Sequence, residues 1–372
     1  MLKFVIRRSI QAIPVLFGIT VVVYGILLAA PGGPEAKFAN NPRITQEQKD
    51  KFIKAWGLDQ PIPIQYCRWM GLCNPETEGT MLGSLPTPAA FIGPTGLPNF
   101  LPFVLSGATN GVLHGDFGYS INSGEKVEDR IARAALPTFI LAGIALFVWL
   151  SIAITMGVYA AIHRYSLFDN AATVFSYVGF AMPTFWLGIM LIFIFTATLK
   201  VLPAGGMTDT RLSPPFGSDQ YWVYFGQKPI TAILDIGKHL ILPVITLVVV
   251  NIAGDSRFVR ASMLESLGQD YVRTAKAKGL PARVVNFKHA LRNALLPVIT
   301  NIGLEIPFLF TGAIVTETIF SWPGIGKLTI DATREFDYPI LMGVLLVTSV
   351  LVVFANLLAD VAYGIVDPRI KY

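Results

Sequence analysis

Charged residues, cysteine and histidine are all scarce in this 372-residue chain. Asp, Glu, Lys and Arg make up 14% of it, whereas a soluble domain carries roughly 25%. Two Cys and four His, none grouped at ligand spacing, exclude a metal or iron–sulfur protein, so no cofactor is expected. Apolar residues dominate instead, at 53%, with a mean hydropathy of +0.57. The composition predicts a membrane protein, and the net charge of +5 is not taken as a sign of nucleic-acid binding.

Six apolar runs are each about 20 residues or longer, which is the length that crosses the hydrocarbon core as a helix. The first run is too long for the apolar region of a signal peptide, so we expect a retained helix. The predicted fold is an all-α membrane protein with six transmembrane helices. The runs are 9–30, 136–161, 171–199, 239–259, 294–316 and 339–363.

Basic residues are concentrated in particular connections between these runs. The segment 260–293 holds seven Lys or Arg against two acids, and the short connection 162–170 is also basic. Because short cytoplasmic loops are enriched in Lys and Arg, both termini are predicted to be cytoplasmic. The predicted divisions are an N-terminal segment with the first helix (1–30), an external loop domain (31–133) and a core with five helices (134–372).

The predicted external loop is nearly balanced in charge, with nine Lys or Arg against ten Asp or Glu. Residues 45–57 form an amphipathic helical pattern, and a Pro-, Gly- and Thr-rich insert near 70–112 indicates irregular structure. Cys67 and Cys73 lie within the sequence CRWMGLC. An oxidising exterior permits a structural disulfide between them, and two free thiols are the alternative.

The most informative stretch is GQDYVRTAKAKGLPARVVNFKHALRNALLPVIT, residues 268–300, between two apolar runs. Asp270 is expected to cap a helix over 271–278, Gly279 to end it, and Pro281 to lie in the first turn of a second helix. Two short helices held at an angle suit docking on another protein and transmission of its movement. A basic segment that only contacts anionic lipid is the open alternative.

This stretch resembles the cytoplasmic signature loop, or EAA loop, of ABC importer permeases, and most closely that of the dipeptide/oligopeptide branch. Arg273, Thr274 and Ala275 stand where the broad superfamily has Glu-Ala-Ala before Gly279, a departure that the peptide branch shares. The insert near 70–112 lies where family members are usually shorter. Further matches, in the same order along the chain, are GLDQPIPIQY, GDFGYS, HLILPVITL, VTETIFSWPGIGKL and LLADVAYGIVDPRIKY.

The resemblance implies a type I ABC importer permease fold in the cytoplasmic membrane of a bacterium or archaeon. It implies two cytoplasmic ATPase subunits, a second homologous permease and an external solute-binding protein as partners. The chain itself would not be an enzyme. Substrates of the branch include peptides, nickel chelates and oligosaccharides. The residues implied for ATPase contact are Asp270, Tyr271, Arg273, Thr274, Ala275, Lys276, Lys278, Gly279 and Leu280.

Three residues within or beside the crossings have candidate roles. Glu305 lies near the middle of the fifth run, where a charge costs about 3 kcal/mol. It either lines the translocation pathway or hydrogen-bonds at a subunit interface. Pro183 is expected to bend the third run, for gating or as a static kink. Glu317, at the outer end of the fifth run, is expected to pin the turn that follows it.

Three alternative functions, and a nucleotide-binding site within this chain, are less well supported than the permease interpretation. An ion-coupled secondary transporter predicts several intramembrane acids, and we identify only Glu305. An intramembrane enzyme predicts paired catalytic groups within the crossings, and none are found. The sequence PGIGKL (323–328) lacks the Gly and the Ser or Thr that a phosphate-binding loop needs. A structural subunit without transport activity would not need a docking helix.

Overall fold

A computed structural model describes residues 2–29, 47, 60–72, 111–305 and 313–366 of the chain. Within these ranges the regular structure is helical, and β-type pairing is limited to an isolated antiparallel bridge between Tyr119 and Lys126. The α-helices are α1 (Leu2–Ala29), α2 (Ile62–Met70), α3 (Val127–Ile162), α4 (Leu167–Ala181), α5 (Thr184–Leu191), α6 (Asp219–Gln227), α7 (Pro229–Leu267), α8 (Asp270–Ala277), α9 (Ala282–Val284), α10 (Leu291–Glu305), α11 (Ile314–Ile319), α12 (Ile325–Arg334) and α13 (Tyr338–Val366). Two π-helical segments, Ile192–Thr198 and Val285–Ala290, and a 3-10 turn, Val112–His114, complete the set.

Four of these helices are long and apolar enough to cross a membrane, namely α1, α3, α7 and α13. The segment formed by α4, α5 and Ile192–Thr198 is bent, and it is a fifth candidate membrane span if it is counted as one span. The predicted crossing 294–316 includes residues 306–312, which lie outside the described part. The described residues therefore confirm an all-α chain with four or five apolar spans, and the sixth crossing stays a prediction.

The third predicted crossing, 171–199, is not one continuous helix. Its two halves meet at 100°, and the break lies at Met182 and Pro183. Met182 has an extended ψ of 121°, as expected for a residue whose α-region is blocked by the proline ring that follows. The predicted bend at Pro183 is therefore a complete break, with the proline capping α5 rather than kinking a single helix.

The chain divides into two compact units. The larger comprises Met1–Pro14, Arg133–Ile330 and Thr348–Tyr372. Within it α7 is central, because α4, α5, α10 and α11 all pack against it. Gly157 of α3 also lies against α7, since a Cβ at this glycine would come within 2.6 Å of the Ser256 carbonyl oxygen.

The smaller unit comprises Val15–Ala132 and Asp331–Val347. Helix α2 is joined to α1 by hydrogen bonds between side chains: Thr20 Oγ1 lies 2.6 Å from the Tyr66 hydroxyl, and Tyr24 donates to Gln65 Oε1 at 3.1 Å. The residues of GDFGYS (115–120) precede a turn that is anchored by the buried carboxylate of Asp337. That carboxylate accepts hydrogen bonds from the Ser120 hydroxyl and from the backbone amide of Ile121.

The predicted external loop is only partly described. Helix α3 begins at Val127, inside the range predicted as loop, while 45–57 and the insert near 70–112 lie almost wholly outside the described residues. Cys67 lies in α2 and is disulfide-bonded. Its predicted partner, Cys73, lies outside the described residues, so the pairing itself stays a prediction.

Candidate functional site

Helix α8 begins one residue earlier than predicted. Gln269 occupies the N-cap position with extended backbone angles, and Asp270 is the first helical residue. The prediction that Asp270 caps the helix is therefore wrong, and the Gln269 side chain makes no capping hydrogen bond. Asp270 still lies where the helix macrodipole favours a negative charge, and it pairs with Arg273 across one turn at 3.3 Å.

The C-terminal end of α8 is closed by Gly279, as predicted. This glycine has a φ of +74° and donates its N–H to the Lys276 carbonyl at 3.0 Å. The Leu280 N–H reaches the Ala275 carbonyl at 3.3 Å. Together these two bonds form a Schellman motif, which favours glycine because the left-handed region penalises a Cβ.

The second predicted helix is formed in three parts. Pro281 is the N-cap of α9 and lies just outside the first turn where it was predicted. Helix α9 continues through the π-helical segment Val285–Ala290 into α10, which contains Pro297. A π-helical turn inserts an extra residue and shifts the side chains that follow around the helix axis. This shift was not predicted from the sequence.

One face of α8 is packed against the rest of the larger unit. Val272 is fully buried and Ala275 is 6% exposed, in a cluster with Met263 of α7 and Val285. The Ser266 hydroxyl donates to the Ala290 carbonyl at 2.7 Å and lies 2.6 Å from the Tyr271 hydroxyl. Helix α8 is therefore held against the end of α7 and the start of the next helical segment.

The other face of α8 and the turn after it are exposed. A Cβ added at Gly279 would meet no atom within 4 Å, so this glycine serves the backbone turn rather than close packing within the chain. Ala275 is the single residue of the predicted ATPase-contact set that is buried within the chain. We call the remaining eight the docking surface: Asp270, Tyr271, Arg273, Thr274, Lys276, Lys278, Gly279 and Leu280.

Glu305 belongs to a polar group inside the larger unit. Asn301 donates from its amide nitrogen to Glu305 Oε1 at 3.1 Å and to Asp255 Oδ1 at 3.3 Å. The indole N–H of Trp149 donates to Asp255 Oδ2 at 2.8 Å. The Glu305 and Asp255 carboxyl groups also lie within hydrogen-bonding reach of each other. The side chains thus form one connected group around two adjacent carboxyl groups.

Sequence reasoning missed Asp255, although it lies inside the predicted run 239–259. The statement that Glu305 is the only intramembrane acid is therefore wrong. The presence of an acidic residue within a long apolar run was the sequence feature that could have identified Asp255. The contact with Trp149 could not have been found in this way, because 106 residues separate the two side chains.

A second charged group, which was also missed, joins α4 to α7. Arg260 donates to both oxygens of Asp169, at 2.6 and 2.7 Å, and the Asp169 residue is only 2% exposed. Ser166 caps α4 by accepting from the Asp169 amide at 3.2 Å. In the sequence Arg260 is the first charged residue of a basic loop, whereas in the folded chain it forms an ion pair with Asp169.

Glu317 pins the turn that follows α11, as expected. Its carboxylate is fully buried and accepts from the Thr138 hydroxyl at 2.9 Å and from the Lys327 amide at 3.1 Å. Burial raises the pKa of the Glu317 carboxyl, and these hydrogen bonds oppose the rise. The indole of Trp322 donates to the Pro137 carbonyl at 2.9 Å, so the same turn is fastened to α3 twice.

Two family models match the chain. The one described as "Binding-protein-dependent transport system inner membrane component" matches residues 153–372, and the one for the N-terminal part of such membrane components matches residues 1–90. The chain belongs to this family. The resemblance inferred from the basic stretch and its companion motifs is thereby confirmed, and the permease interpretation is favoured over an ion-coupled transporter or an intramembrane enzyme.

Relatives of the chain in this family are similar along their whole length. The oligopeptide transport system permease protein AppB of Bacillus subtilis is 37% identical, with 100% of both chains covered. The dipeptide transport system permease protein DppB of Escherichia coli K12 is 35% identical over 100% of this chain and 99% of its own. The di/tripeptide transport system permease protein DppB of Pseudomonas aeruginosa is 34% identical with the same coverage.

Proposed function

We propose that this chain is the permease subunit of an ATP-driven importer and forms half of the translocation pathway for peptides or similar small solutes. The single observation that carries the proposal is the docking surface. A short helix, closed at its C-terminal end by Gly279, exposes Arg273, Lys276 and Lys278 on one side and is packed through Val272 and Ala275 on the other. The proposed peptide specificity rests on the similarity to an oligopeptide and a dipeptide transport system permease.

The partners we propose are two cytoplasmic ATPase subunits, a second homologous permease and an external solute-binding protein. We place the chain in a bacterial or archaeal cytoplasmic membrane, with both termini cytoplasmic. The basic segment 260–293, including the docking surface, then lies on the side where ATP is available.

The packing of α8 accounts for how an ATPase would move the permease. A displacement of α8 acts on α7 through Met263 and on the helix after it through Val285, because these side chains share one buried cluster with Val272. Close-packed interiors transmit strain rather than absorb it. We therefore propose that closure of the ATPase dimer moves the cytoplasmic ends of α7 and α10 together.

Reversing the charge of Lys276 and Lys278 to Glu is expected to remove the ATPase from the purified permease. Like charges brought together at an interface cost several kcal/mol, and each 1.4 kcal/mol is about tenfold in affinity. Recovery of the ATPase with the tagged permease in mild detergent should therefore fall by roughly tenfold or more, measured by quantitative immunoblot after co-expression.

The matched control is Lys228→Glu with Lys238→Glu, which makes the same charge change at two exposed lysines beyond the docking surface. This control is expected to retain the ATPase. Equal recovery of the ATPase with both double variants would contradict the docking role and would leave the basic segment as a lipid contact.

Glu305 is the pathway residue we propose, with the break at Pro183 as a second pathway element. Glu305→Gln keeps the side-chain shape and an acceptor for Asn301, but the new side chain can no longer carry a negative charge beside Asp255. We expect the KM for uptake of peptides with a free amino terminus to rise by roughly tenfold, as lost hydrogen bonds to charged groups predict, while ATPase recovery stays unchanged. Unaltered uptake with an unaltered unfolding temperature would assign Glu305 a purely structural hydrogen bond.

A further inference from the structure

Arg257 is a charged residue that the proposed transport mechanism does not use. It lies in α7, inside the predicted crossing 239–259, and its Nε donates to the Ala253 carbonyl at 2.8 Å. Its guanidinium carbon is 4.9 Å from the ring centre of Tyr177 and 5.3 Å from that of Phe180. Among the described residues, no carboxylate forms an ion pair with it. An unpaired arginine within a membrane helix is costly and calls for a compensating partner.

The neighbouring charges leave this region positive. Arg260, one turn further along α7, is already held by both oxygens of Asp169. Arg164 lies close enough to Asp169 to act on it electrostatically. Three guanidinium groups against one carboxylate leave two positive charges. Arg164 and the Asp169–Arg260 pair lie at the start of α4, whereas Arg257 lies beside Tyr177 and Phe180 in its second half. The positive excess therefore extends along α4, and Arg257 is the member that contacts aromatic rings.

A small cavity opens beside Arg257 between α3, α4 and α7. Its polar lining consists of the Thr173, Ser176 and Ser256 hydroxyl groups together with Arg257 and Arg260. The hydroxyl oxygens of Ser176 and Ser256 are 3.2 Å apart. The Ser176 hydroxyl donates to the Ala172 carbonyl at 2.8 Å, so both hydroxyl protons of this pair are used within the chain, and the cavity of about 10 Å³ is too small for a phosphate group. The terminal nitrogens of the Arg257 guanidinium, at the rim of the cavity, remain as donors that match a phosphate, which binds arginine through two parallel hydrogen bonds.

The surface around this cavity is apolar and exposed. Tyr177 is 60% and Phe180 66% exposed, and Val174 and Val178 of the same helix are similarly uncovered. Such side chains suit acyl chains, whereas a free inorganic anion would gain nothing from them. Basic pockets between membrane helices at the cytoplasmic side bind the headgroups of anionic lipids. The apolar surround therefore favours a lipid as the source of the phosphate.

We infer that the Arg257 guanidinium binds the phosphate of an anionic membrane phospholipid whose acyl chains lie along the exposed face of α4. The site is distinct from the docking surface and from the Asp255–Glu305 group. It depends on the chain being a membrane protein but not on the solute that is transported. The phosphate of the lipid supplies the negative charge that no carboxylate among the described residues provides to Arg257.

The test is retention of phosphatidylglycerol by the purified full-length protein. Native mass spectrometry is used to titrate phosphatidylglycerol, and separately phosphatidylcholine, into the protein in detergent. Wild-type protein is expected to bind phosphatidylglycerol in preference, and Arg257→Gln is expected to weaken that binding by roughly tenfold. Arg211→Gln, which removes an exposed arginine outside the proposed site, is the matched control and should bind like wild type.

Three outcomes would overturn the inference. They are unchanged phosphatidylglycerol affinity in Arg257→Gln, displacement of the lipid by inorganic phosphate alone, and a change in the KM for peptide uptake without any change in lipid binding. If Arg257→Gln is not recovered folded, Arg257→Lys provides the test. Lysine keeps the charge but loses the planar pair of donors. It should bind phosphatidylglycerol several-fold more weakly, and wild-type affinity in this variant would also overturn the inference.

Discussion

Replacing Gly279 with tryptophan is expected to abolish ATP-driven uptake while the protein still folds. A Cβ at this position meets no atom of this chain within 4 Å, so we expect the indole to project from the docking surface into the space that a bound ATPase would occupy. The left-handed backbone adds about 1–2 kcal/mol of strain for any residue with a Cβ. Blocking the centre of an interface costs about 2 kcal/mol or more of binding free energy. Uptake into proteoliposomes should therefore fall at least roughly thirtyfold.

Gly279→Ala separates strain from bulk, because alanine carries the same backbone penalty without a projecting ring. We expect this variant to keep most of the uptake and to show a slightly lower unfolding temperature than wild type. Gly279→Asn tolerates the left-handed region better and should be more stable than the alanine variant. Solute-stimulated ATP hydrolysis at the wild-type rate in Gly279→Trp would place the ATPase contact elsewhere.

Glu317→Ala is expected to cause the largest loss of stability. The substitution removes the buried acceptor of the Thr138 hydroxyl and the Lys327 amide and leaves both donors in a dry site. Each hydrogen bond to a charged group contributes about 1.5–3 kcal/mol, so the combined cost of losing the two bonds is about 3–6 kcal/mol. The measurement is the unfolding temperature in detergent, followed by intrinsic tryptophan fluorescence, because Trp322 lies in the same turn.

Glu317→Gln preserves the shape and one acceptor oxygen and should lose less stability than the alanine variant. Glu265→Ala, which truncates an exposed acid on α7, is the surface control. Substitutions of this kind usually change stability by less than about 0.5 kcal/mol. An unfolding temperature for Glu317→Ala equal to that of the control would mean that the buried carboxylate is not what holds the turn.

Features set by local chemistry were predictable from the sequence. The apolar runs located α1, α3, α7 and α13, and Gly279 located the end of α8, because a left-handed residue closes a helix whatever lies beyond it. The beginning of α8 was misplaced by one residue. Sequence preference for Asp at a helix start does not distinguish the cap from the first helical position, where the macrodipole also favours it.

Features that depend on contacts between distant segments could not be predicted. Asp169 and Arg260 are 91 residues apart, and nothing in either local pattern selects the other as its partner. The same holds for Asp255, whose contacts come from helices on both sides of it in the chain. The sequence predicted only a bend at Pro183, whereas the structure has a complete break. A proline in an apolar run indicates that the helix is disrupted. The angle between the two resulting helices depends on the packing around the break, which the local sequence does not specify.

The length of α7 has a mechanical consequence. Its 39 residues extend about 58 Å, nearly twice the roughly 30 Å of hydrocarbon that it crosses. We therefore propose that the helix acts as a lever that pivots within the bilayer, with one arm ending beside α8 and the other at Pro229. A small push on the first arm swings the opposite arm the other way. The two mouths of the pathway can then open in alternation without any change in the length of the helix.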